Sequence, residues 1–397
     1  MDKKASPINF YPFIVLSPKA IYLEIFMAGI YLHIPFCKSR CAYCDFHSGT
    51  DFSLKEKLVG SLCAELRLRK NYLGGESVRT IYFGGGTPSL LEKSDLWTML
   101  NDIHLHFNVL ESAETTIEAN PDDITEGYAK MLRALGFNRI SLGVQSLNDA
   151  ELRLLHRRHS AQKARDAVKI CQNAGFDNIS IDLIYGLPAQ MPETWENTLN
   201  EALSLNVQHI SAYHLTYEKG TAIYRMLHRQ VSEETSLDMF KMLTGKLKTA
   251  GFEHYEISNF AQKGFRSQHN SACWNDEKYL GAGASAHSYN GVSRQWNVSN
   301  TAAYIANMAT GKAFFEIEHL TPQEKYNDFI ITRLRTREGI HLSVLKETFG
   351  EKRLKYCLDN AERWKESHSL QVTDNYLALT EKGIFISDRI FEDLIWV

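Results

Sequence analysis

The 397-residue sequence lacks the features of several protein classes. No stretch reaches the roughly 18 uninterrupted apolar residues of a membrane-spanning helix. A formal net charge of −3 gives no basic surface for nucleic acid, so we expect no nucleic-acid partner. Seven cysteines, an odd number, argue against a disulfide scaffold and favour the reducing cytoplasm.

Residues 1–26 show no complete secretory signal. Lys3 and Lys4 precede an apolar stretch, but Ser17-Pro18-Lys19 interrupts it and no small-residue cleavage site follows. Met27 reads as a natural start of the chain. We therefore expect residues 1–26 to be an upstream extension that is either poorly ordered or the result of a misassigned start codon.

Three of the cysteines lie close together, directly after an apolar run that ends at Ile34. Cys37, Cys41 and Cys44 have C-x3-C-x2-C spacing. A structural zinc site needs four ligands and usually shows a second C-x2-C or H-x3-H pair, which does not follow in this sequence. Three thiolates without a fourth suit an iron–sulfur cluster. The alternative is three unrelated core cysteines, since free cysteine is often buried; we expect a metal site.

Strand-like and helix-like segments alternate from Ile30 to about Ala261. Six alternations predict an α/β fold of parallel strands with right-handed crossovers, closed into a full or partial barrel. Chemistry in such barrels lies at the carboxyl ends of the strands. Glycines there allow close backbone approach to a ligand, and carboxylates can pair with ribose hydroxyls, although each residue alone could be a helix cap. The predicted strand ends carry Gly84 to Thr87, Glu118, Gln145 and Asp182, with Arg157 after the fourth.

The cysteine motif after a first strand resembles the radical S-adenosylmethionine (SAM) superfamily. In that family three cysteines hold a 4Fe-4S cluster, SAM chelates the free iron, and an electron from the cluster cleaves SAM to a 5′-deoxyadenosyl radical. The resemblance implies a partial (β/α)6 radical SAM barrel over residues 27–261. It also implies that Cys37, Cys41 and Cys44 bind the cluster, and that SAM is bound by Tyr31, Tyr43, Gly85, Gly86, Thr87, Glu118, Gln145, Arg157 and Asp182.

The residues at the start of the motif, Tyr31-x-His-Ile-Pro-Phe-Cys37, resemble those of the oxygen-independent coproporphyrinogen III oxidase group and its branch of HemW-type haem chaperones. In the oxidase branch the motif continues to a fourth cysteine, as C-x3-C-x2-C-x-C. That position is Phe46 here, and a phenylalanine cannot supply a thiolate. The difference favours the chaperone branch.

Residues 262–319, where the alternation stops, are rich in histidine, aromatic and small residues, and we expect them to connect two domains. The segment from His269 to Trp274 resembles the H-N-x-x-Y-W signature of HemW-type proteins, with Cys273 in place of tyrosine. Imidazole is a common axial ligand of haem iron. The resemblance therefore implies haem-binding residues His269, Cys273 and Trp274, with the iron ligand left open. A hydrogen-bonded core histidine is the alternative for His269.

Residues 320–397 predict helices followed by a short hairpin, which is typical of a smaller α+β, winged-helix-like domain with a packing or lid role. Taken together, the resemblance implies a cytoplasmic haem chaperone that keeps its cluster and SAM, carries haem as cargo and lacks coproporphyrinogen oxidase activity. Its expected partners are acceptor haemoproteins such as membrane-bound respiratory enzymes, and a homodimer is left open. The alternatives are a coproporphyrinogen III oxidase or another radical SAM tetrapyrrole enzyme, and a structural iron–sulfur protein.

Overall fold

The structure is a computed structural model that describes residues 27–397, so the expectation for residues 1–26 lies outside the described residues. A twelve-stranded sheet has the order β12-β11-β10-β9-β1-β2-β3-β4-β5-β6-β8-β7. Its strands are β1 (Met27–Ile34), β2 (Ser77–Gly85), β3 (Val109–Ala119), β4 (Arg139–Gln145), β5 (Ile179–Tyr185), β6 (His209–His214), β7 (Glu253–Glu256), β8 (Asn259–Ala261), β9 (Lys278–Ala282), β10 (His287–Tyr289), β11 (Ser293–Asn297) and β12 (Phe315–His319). Strands β1 to β6 pair in parallel with their neighbours in sequence, which confirms the predicted partial (β/α)6 barrel.

Helices follow each of these parallel strands and cover the outside of the barrel. They are α1 (Lys55–Leu68), α2 (Lys93–His106), α3 (Glu126–Ala134), α4 (Asp149–Leu154), α5 (Ala161–Asn173), α6 (Pro192–Ser204) and α7 (Glu233–Thr249). Because strand side chains alternate between faces, Ile30, Leu32 and Ile34 of β1 pack under the helices in the main core. Tyr31 and His33 of the same strand belong to the other face and point into the barrel.

Residues 262–319, expected to connect two domains, extend the main sheet. They contain α8 (Gln268–Trp274), then β9, which pairs in parallel with β1, and then the antiparallel strands β10 to β12 with α9 (Thr301–Thr310) between β11 and β12. These strands have three to five residues each, and β9 is rich in small residues, so they produce little periodicity in the sequence.

Glu65 of α1 holds this extension against the barrel. Its carboxylate is fully buried and accepts hydrogen bonds from Arg69 Nη1 at 2.9 Å and from Tyr304 Oη at 2.6 Å. It also accepts from Asn297 Nδ2 at 2.9 Å and from the backbone N–H of Gly283 at 2.9 Å. A buried carboxylate is tolerated only when it is paired and hydrogen-bonded. Glu65 therefore ties α1 to α9, to β11 and to the turn after β9.

The carboxyl-terminal part of the chain has its own small sheet, of order β13-β15-β14, and its own core. Its elements are α10 (Pro322–Leu334), β13 (Ile340–His341), α11 (Leu342–Phe349), α12 (Glu351–Glu366), β14 (Leu370–Thr373), β15 (Tyr376–Leu379), α13 (Glu381–Ile384) and α14 (Ser387–Leu394). Helices followed by a hairpin confirm the predicted smaller α+β, winged-helix-like unit. Among residues 27–397, no helix is both long enough and apolar enough to span a bilayer.

The role of Glu65 can be tested by substitution. Glu65→Ala leaves Arg69, which is 7% exposed, as an unpaired buried charge. We expect it to lower the free energy of unfolding by about 3–5 kcal/mol, measured by urea unfolding. Glu56→Ala, which removes an exposed carboxylate from the first turn of the same helix, should change it by less than about 0.5 kcal/mol. Equal effects of the two substitutions would contradict this account.

Candidate functional site

A cavity of about 520 Å³ opens at the carboxyl ends of the parallel strands. It lies between the loop after β1, the glycine turn after β2 and the ends of β3 to β6, which is where a parallel barrel concentrates its chemistry. Every predicted cluster and SAM residue except Tyr31 lines it, namely Cys37, Cys41, Tyr43, Cys44, Gly85, Gly86, Thr87, Glu118, Gln145, Arg157 and Asp182.

The three cysteines of the motif present free, half-buried thiols to this cavity. Thr87 Oγ1 donates a hydrogen bond to Cys37 Sγ at 3.4 Å, and Arg157 Nη1 donates to Cys41 Sγ at 3.3 Å. Such donors stabilise negative charge on sulfur. Over residues 27–397, no three Cys, His, Asp or Glu side chains converge on a single metal ion. A cluster does not require such convergence, because each of its thiolates binds a different iron. The donor set therefore fits a cluster.

Backbone hydrogen bonds fix the cysteine loop from several sides. The Cys37 N–H donates to the carbonyl of Gly49 at 2.9 Å, and the Ala42 N–H donates to the carbonyl of Leu155 at 3.0 Å. The carbonyl of Ala42 in turn accepts from the N–H of Ile223 at 2.8 Å. The thiols are thus held by the segments that follow β4 and β6, which is the support that a precise binding site needs.

The glycine turn after β2 packs closely against the start of the cysteine loop. The N–H of Gly86 donates to the carbonyl of Ile34 at 2.8 Å, and a Cβ on Gly86 would lie only 2.7 Å from the carbonyl oxygen of Phe36. Gly85 has φ +105°, a conformation that side chains rarely adopt. These glycines are required by the close approach of two chain segments at the wall of the cavity.

Two carboxylates stand at the ends of β3 and β5. Glu118 accepts hydrogen bonds from Tyr82 Oη at 2.8 Å and from the Gly85 N–H at 3.2 Å. Burial, with a smaller contribution from the charge of Asp182, raises the pKa of Glu118 to about 7. Burial also raises the pKa of Asp182, which accepts from Ser141 Oγ at 3.3 Å. The pair can accept hydrogen bonds from hydroxyl or ammonium groups of a ligand.

Arg157 and its neighbour Arg158 both line the cavity but have different partners. Arg157 donates to Cys41 and, through Nη2, to the carbonyl of Gly143 at 2.6 Å, whereas Arg158 pairs with Asp122 at 2.7 Å. Of the two, Arg157 is the one that contacts a cysteine of the motif. Gln145, at the end of β4, has φ +67°, which is uncommon for a residue other than glycine.

Four predicted residues lie elsewhere. Tyr31 Oη is hydrogen-bonded to His33 Nδ1 at 3.1 Å, inside the barrel. His269 is 7% exposed, and its Nδ1 lies 2.8 Å from Thr80 Oγ1. Cys273 and Trp274 are half-buried at the end of α8, away from the residues that line the cavity, and the Arg335 guanidinium lies 4.7 Å from the centre of the Trp274 ring. The three predicted haem residues are therefore together on α8 and do not line the cavity, although the His269 ring stacks on the ring of Tyr31, with 6.3 Å between centroids.

The cavity also contains residues that the sequence motifs did not indicate, of which Tyr213 is the clearest. Its side chain is 43% exposed and lines the cavity from β6. Tyr213 pairs in register with Ile184, two residues after Asp182 on β5. The strand-end rule that identified Asp182 could therefore have found Tyr213 as well.

If Cys37, Cys41 and Cys44 bind the cluster, substitution of these three cysteines should affect cluster reconstitution and substitution of other cysteines should not. Replacing Cys37, Cys41 or Cys44 by Ser should abolish reconstitution of the cluster, measured as iron and sulfide content and visible absorbance, because a hydroxyl is a poor substitute for a thiolate ligand. Cys273→Ser, at a thiol of the same half-buried class, should leave the iron and sulfide content unchanged. Loss of the cluster in Cys273→Ser alone would contradict the assignment.

Comparison with known proteins shows where the chain belongs. A family model described as the radical SAM superfamily matches residues 31–202, and one described as the HemN C-terminal domain matches residues 320–386. A protein named "Heme chaperone HemW" from Mycobacterium tuberculosis is 33% identical over 378 residues, which cover 92% of this chain and 94% of that protein. The protein of the same name from Bacillus subtilis is 31% identical over 375 residues, covering 92% and 98%.

The fold is shared with a solved structure described as "Coproporphyrinogen III oxidase (HemN) from Escherichia coli". The TM-score is 0.82 at 24% identity, over 93% of this chain and 90% of that one. Membership of the radical SAM superfamily implies a 4Fe-4S cluster and SAM as cofactors. The chain belongs to the radical SAM superfamily and, within it, to the family of the HemW proteins.

Proposed function

We propose that this chain is a haem chaperone, which binds haem and transfers it to acceptor haemoproteins without oxidising coproporphyrinogen III. The names of its relatives support this proposal, since proteins called haem chaperones align with 92% of the chain. The shared fold does not separate a chaperone from an oxidase, because a fold hosts different functions through its site residues. The distinction has to come from the cavity.

Phe46 is the observation that carries the proposal. It lies two residues after Cys44, lines the cavity, and its side chain is 67% exposed. The oxidase branch has a further cysteine at this position of the motif, and a phenyl ring cannot supply a thiol for redox chemistry. Among residues 27–397, Cys37, Cys41 and Cys44 are the only cysteines that line the cavity, and all three are proposed cluster ligands.

Within this proposal, Cys37, Cys41 and Cys44 hold the cluster and the remaining cavity residues hold SAM. A reduced cluster held there would supply an electron for cleavage of the sulfonium of SAM. Glu118 and Asp182 would accept hydrogen bonds from bound SAM. Arg157 orients the cysteine loop through its contact with Cys41.

For haem we propose a site on α8, with Cys273 as the iron ligand and Trp274 as an aromatic wall. Burial raises the pKa of the Cys273 thiol to about 12, so iron binding must displace its proton. Burial lowers the pKa of His269 to about 3, so its imidazole is neutral, the form that binds iron. However, the ring of His269 is buried behind Thr80, and its ligation would require α8 to move. Of the two residues, Cys273 is the less buried, and we therefore propose Cys273 as the ligand.

The expected acceptors are haemoproteins, including membrane-bound respiratory enzymes, and the proposed setting is the cytoplasm, where thiols stay reduced. The same proposal leaves open whether the chain forms a homodimer.

Two assays on one anaerobic, cluster-reconstituted preparation test the proposal. Haemin should give a stoichiometric Soret band, and Cys273→Ser should weaken haem binding by about tenfold or more, because even a neighbour of a metal ligand contributes about 10–100-fold to affinity. His104→Ala, at an exposed histidine on α2, serves as the control and should bind haemin like the wild type.

The same preparation with coproporphyrinogen III, SAM and a reductant should yield no protoporphyrinogen. Formation of that product would overturn the chaperone proposal and make Phe46 uninformative. Unchanged haem affinity in Cys273→Ser, combined with a loss in His269→Ala, would move the iron ligand to His269. Unchanged affinity in both variants would remove the haem site from α8.

A further inference from the structure

A column of side chains runs through the inside of the barrel from the cavity to α8. At its upper end, Tyr82 Oη donates to Glu118 Oε1 at 2.8 Å, and Glu118 lines the cavity. At its lower end, the His269 ring stacks on the Tyr82 ring, with 4.9 Å between centroids and 24° between planes. Thr80 and Tyr82 point to the same face of β2 because they are two residues apart, and Thr80 Oγ1 lies 2.8 Å from His269 Nδ1.

Two glycines leave the space that this column occupies. A Cβ on Gly84 would lie 2.8 Å from Cε1 of Tyr82 and 3.0 Å from Oε1 of Glu118. A Cβ on Gly29 would lie 3.3 Å from two atoms of the His269 ring. Any larger residue at either position would displace a member of the column, so the sequence of β1 and β2 is adapted to it.

The His269 ring is fixed from below as well as from the side. The backbone N–H of His269 donates to Glu114 Oε1 at 3.1 Å, and Ser267 caps the start of α8 with its hydroxyl, which accepts from the Asn270 N–H at 3.3 Å. The backbone N–H of Ser267 donates to Tyr255 Oη at 3.3 Å. These contacts anchor α8 at the barrel interior, so the ring cannot shift without breaking hydrogen bonds to buried groups.

We propose that His269 is a positioning residue for the cavity, because its ring holds Tyr82 in the orientation in which Tyr82 donates to Glu118. The inference rests on the proposed role of Glu118 in binding SAM. His269, the first residue of the His269–Trp274 signature, would then have a role in the SAM site in addition to any contribution of α8 to haem binding.

The ionisation of Glu118 reports on this arrangement. Burial raises its pKa, and the hydrogen bond from Tyr82 opposes the rise because it favours the carboxylate. Losing that bond should therefore raise the pKa of Glu118 further and increase its protonated fraction near neutral pH. The other titratable and charged groups that face Glu118 are Tyr31 from β1, Arg139 from β4, Asp182 from β5 and Tyr213 from β6.

Difference infrared titration of the full chain, without SAM, tests the proposal. The carboxyl band of Glu118 is assigned by its absence in Glu118→Gln. Tyr82→Phe, which keeps the ring and removes the donor, should raise the midpoint by roughly one pH unit, as expected for one hydrogen bond to a charged group. His269→Gln, which can still bond Thr80 but has no ring, should raise it in the same direction. His269→Phe, which keeps a ring, should stay near the wild-type midpoint.

Further variants separate positioning from a general effect on folding. In the Tyr82→Phe background, His269→Gln should add no shift, because its effect passes through Tyr82. His254→Gln is the matched control, because the His254 ring stacks on the Phe260 ring outside the column, with 4.1 Å between ring centroids. This variant should leave the titration midpoint of Glu118 unchanged. His269→Leu provides a second ringless variant in case His269→Gln does not fold.

Two results would overturn the inference. The first is that Tyr82→Phe shifts the titration midpoint of Glu118 while His269→Gln and His269→Leu keep the wild-type midpoint. The second is that His254→Gln shifts this midpoint as much as His269→Gln does. Equilibrium binding of SAM to the same proteins tests the underlying site, and should weaken in His269→Gln but not in His254→Gln. Failure of the wild type to bind SAM would contradict the proposed SAM site, and would leave the infrared result to decide the role of His269.

Discussion

The parallel pairing of β1 with β2 is the constraint on which the rest of the site depends. Its register places Ile34 opposite Gly85, so the cysteine loop and the glycine turn leave the sheet at the same point. The contact of the Gly86 N–H with the carbonyl of Ile34 then joins the two segments, and it is close enough to require glycine. This arrangement places the Cys37 thiol beside Thr87 and opens the cavity towards the ends of β3 to β6.

The second feature of the molecule is the polar interior of the barrel. Side chains such as Glu118, Asp182 and Arg139 occupy positions that apolar residues fill in many barrels, and Arg139 is only 2% exposed. Buried carboxylates are costly unless they are hydrogen-bonded or paired, which explains why hydroxyl groups accompany them on neighbouring strands, Tyr82 beside Glu118 and Ser141 beside Asp182. This interior connects the cavity to α8, and thus the two regions that the proposed function requires.

The sequence predicted local features well and distant contacts poorly. Cys37, Cys41 and Cys44 are recognisable because their spacing lies within eight residues, and Glu118 and Asp182 follow from the rule that strand ends carry the chemistry. The contact between Thr80 and His269 joins residues 189 positions apart, and no local pattern indicates it. The parallel pairing of β9 with β1 was not predicted for the same reason. The five residues of β9 have no strand-like pattern of their own, and only their pairing with β1 identifies them as a strand.

We propose that this chain delivers haem and does not make a tetrapyrrole. The most direct measurement is transfer: haem-loaded protein, freed of excess haemin, is mixed with the haem-free form of a haem enzyme, and recovery of that enzyme's activity is followed over time. We expect stoichiometric recovery by the wild type and incomplete recovery by Cys273→Ser, which binds haem more weakly and therefore retains less of it when excess haemin is removed. Haem that stays on the chain, or that reaches the acceptor no faster than free haemin does, would contradict the claim.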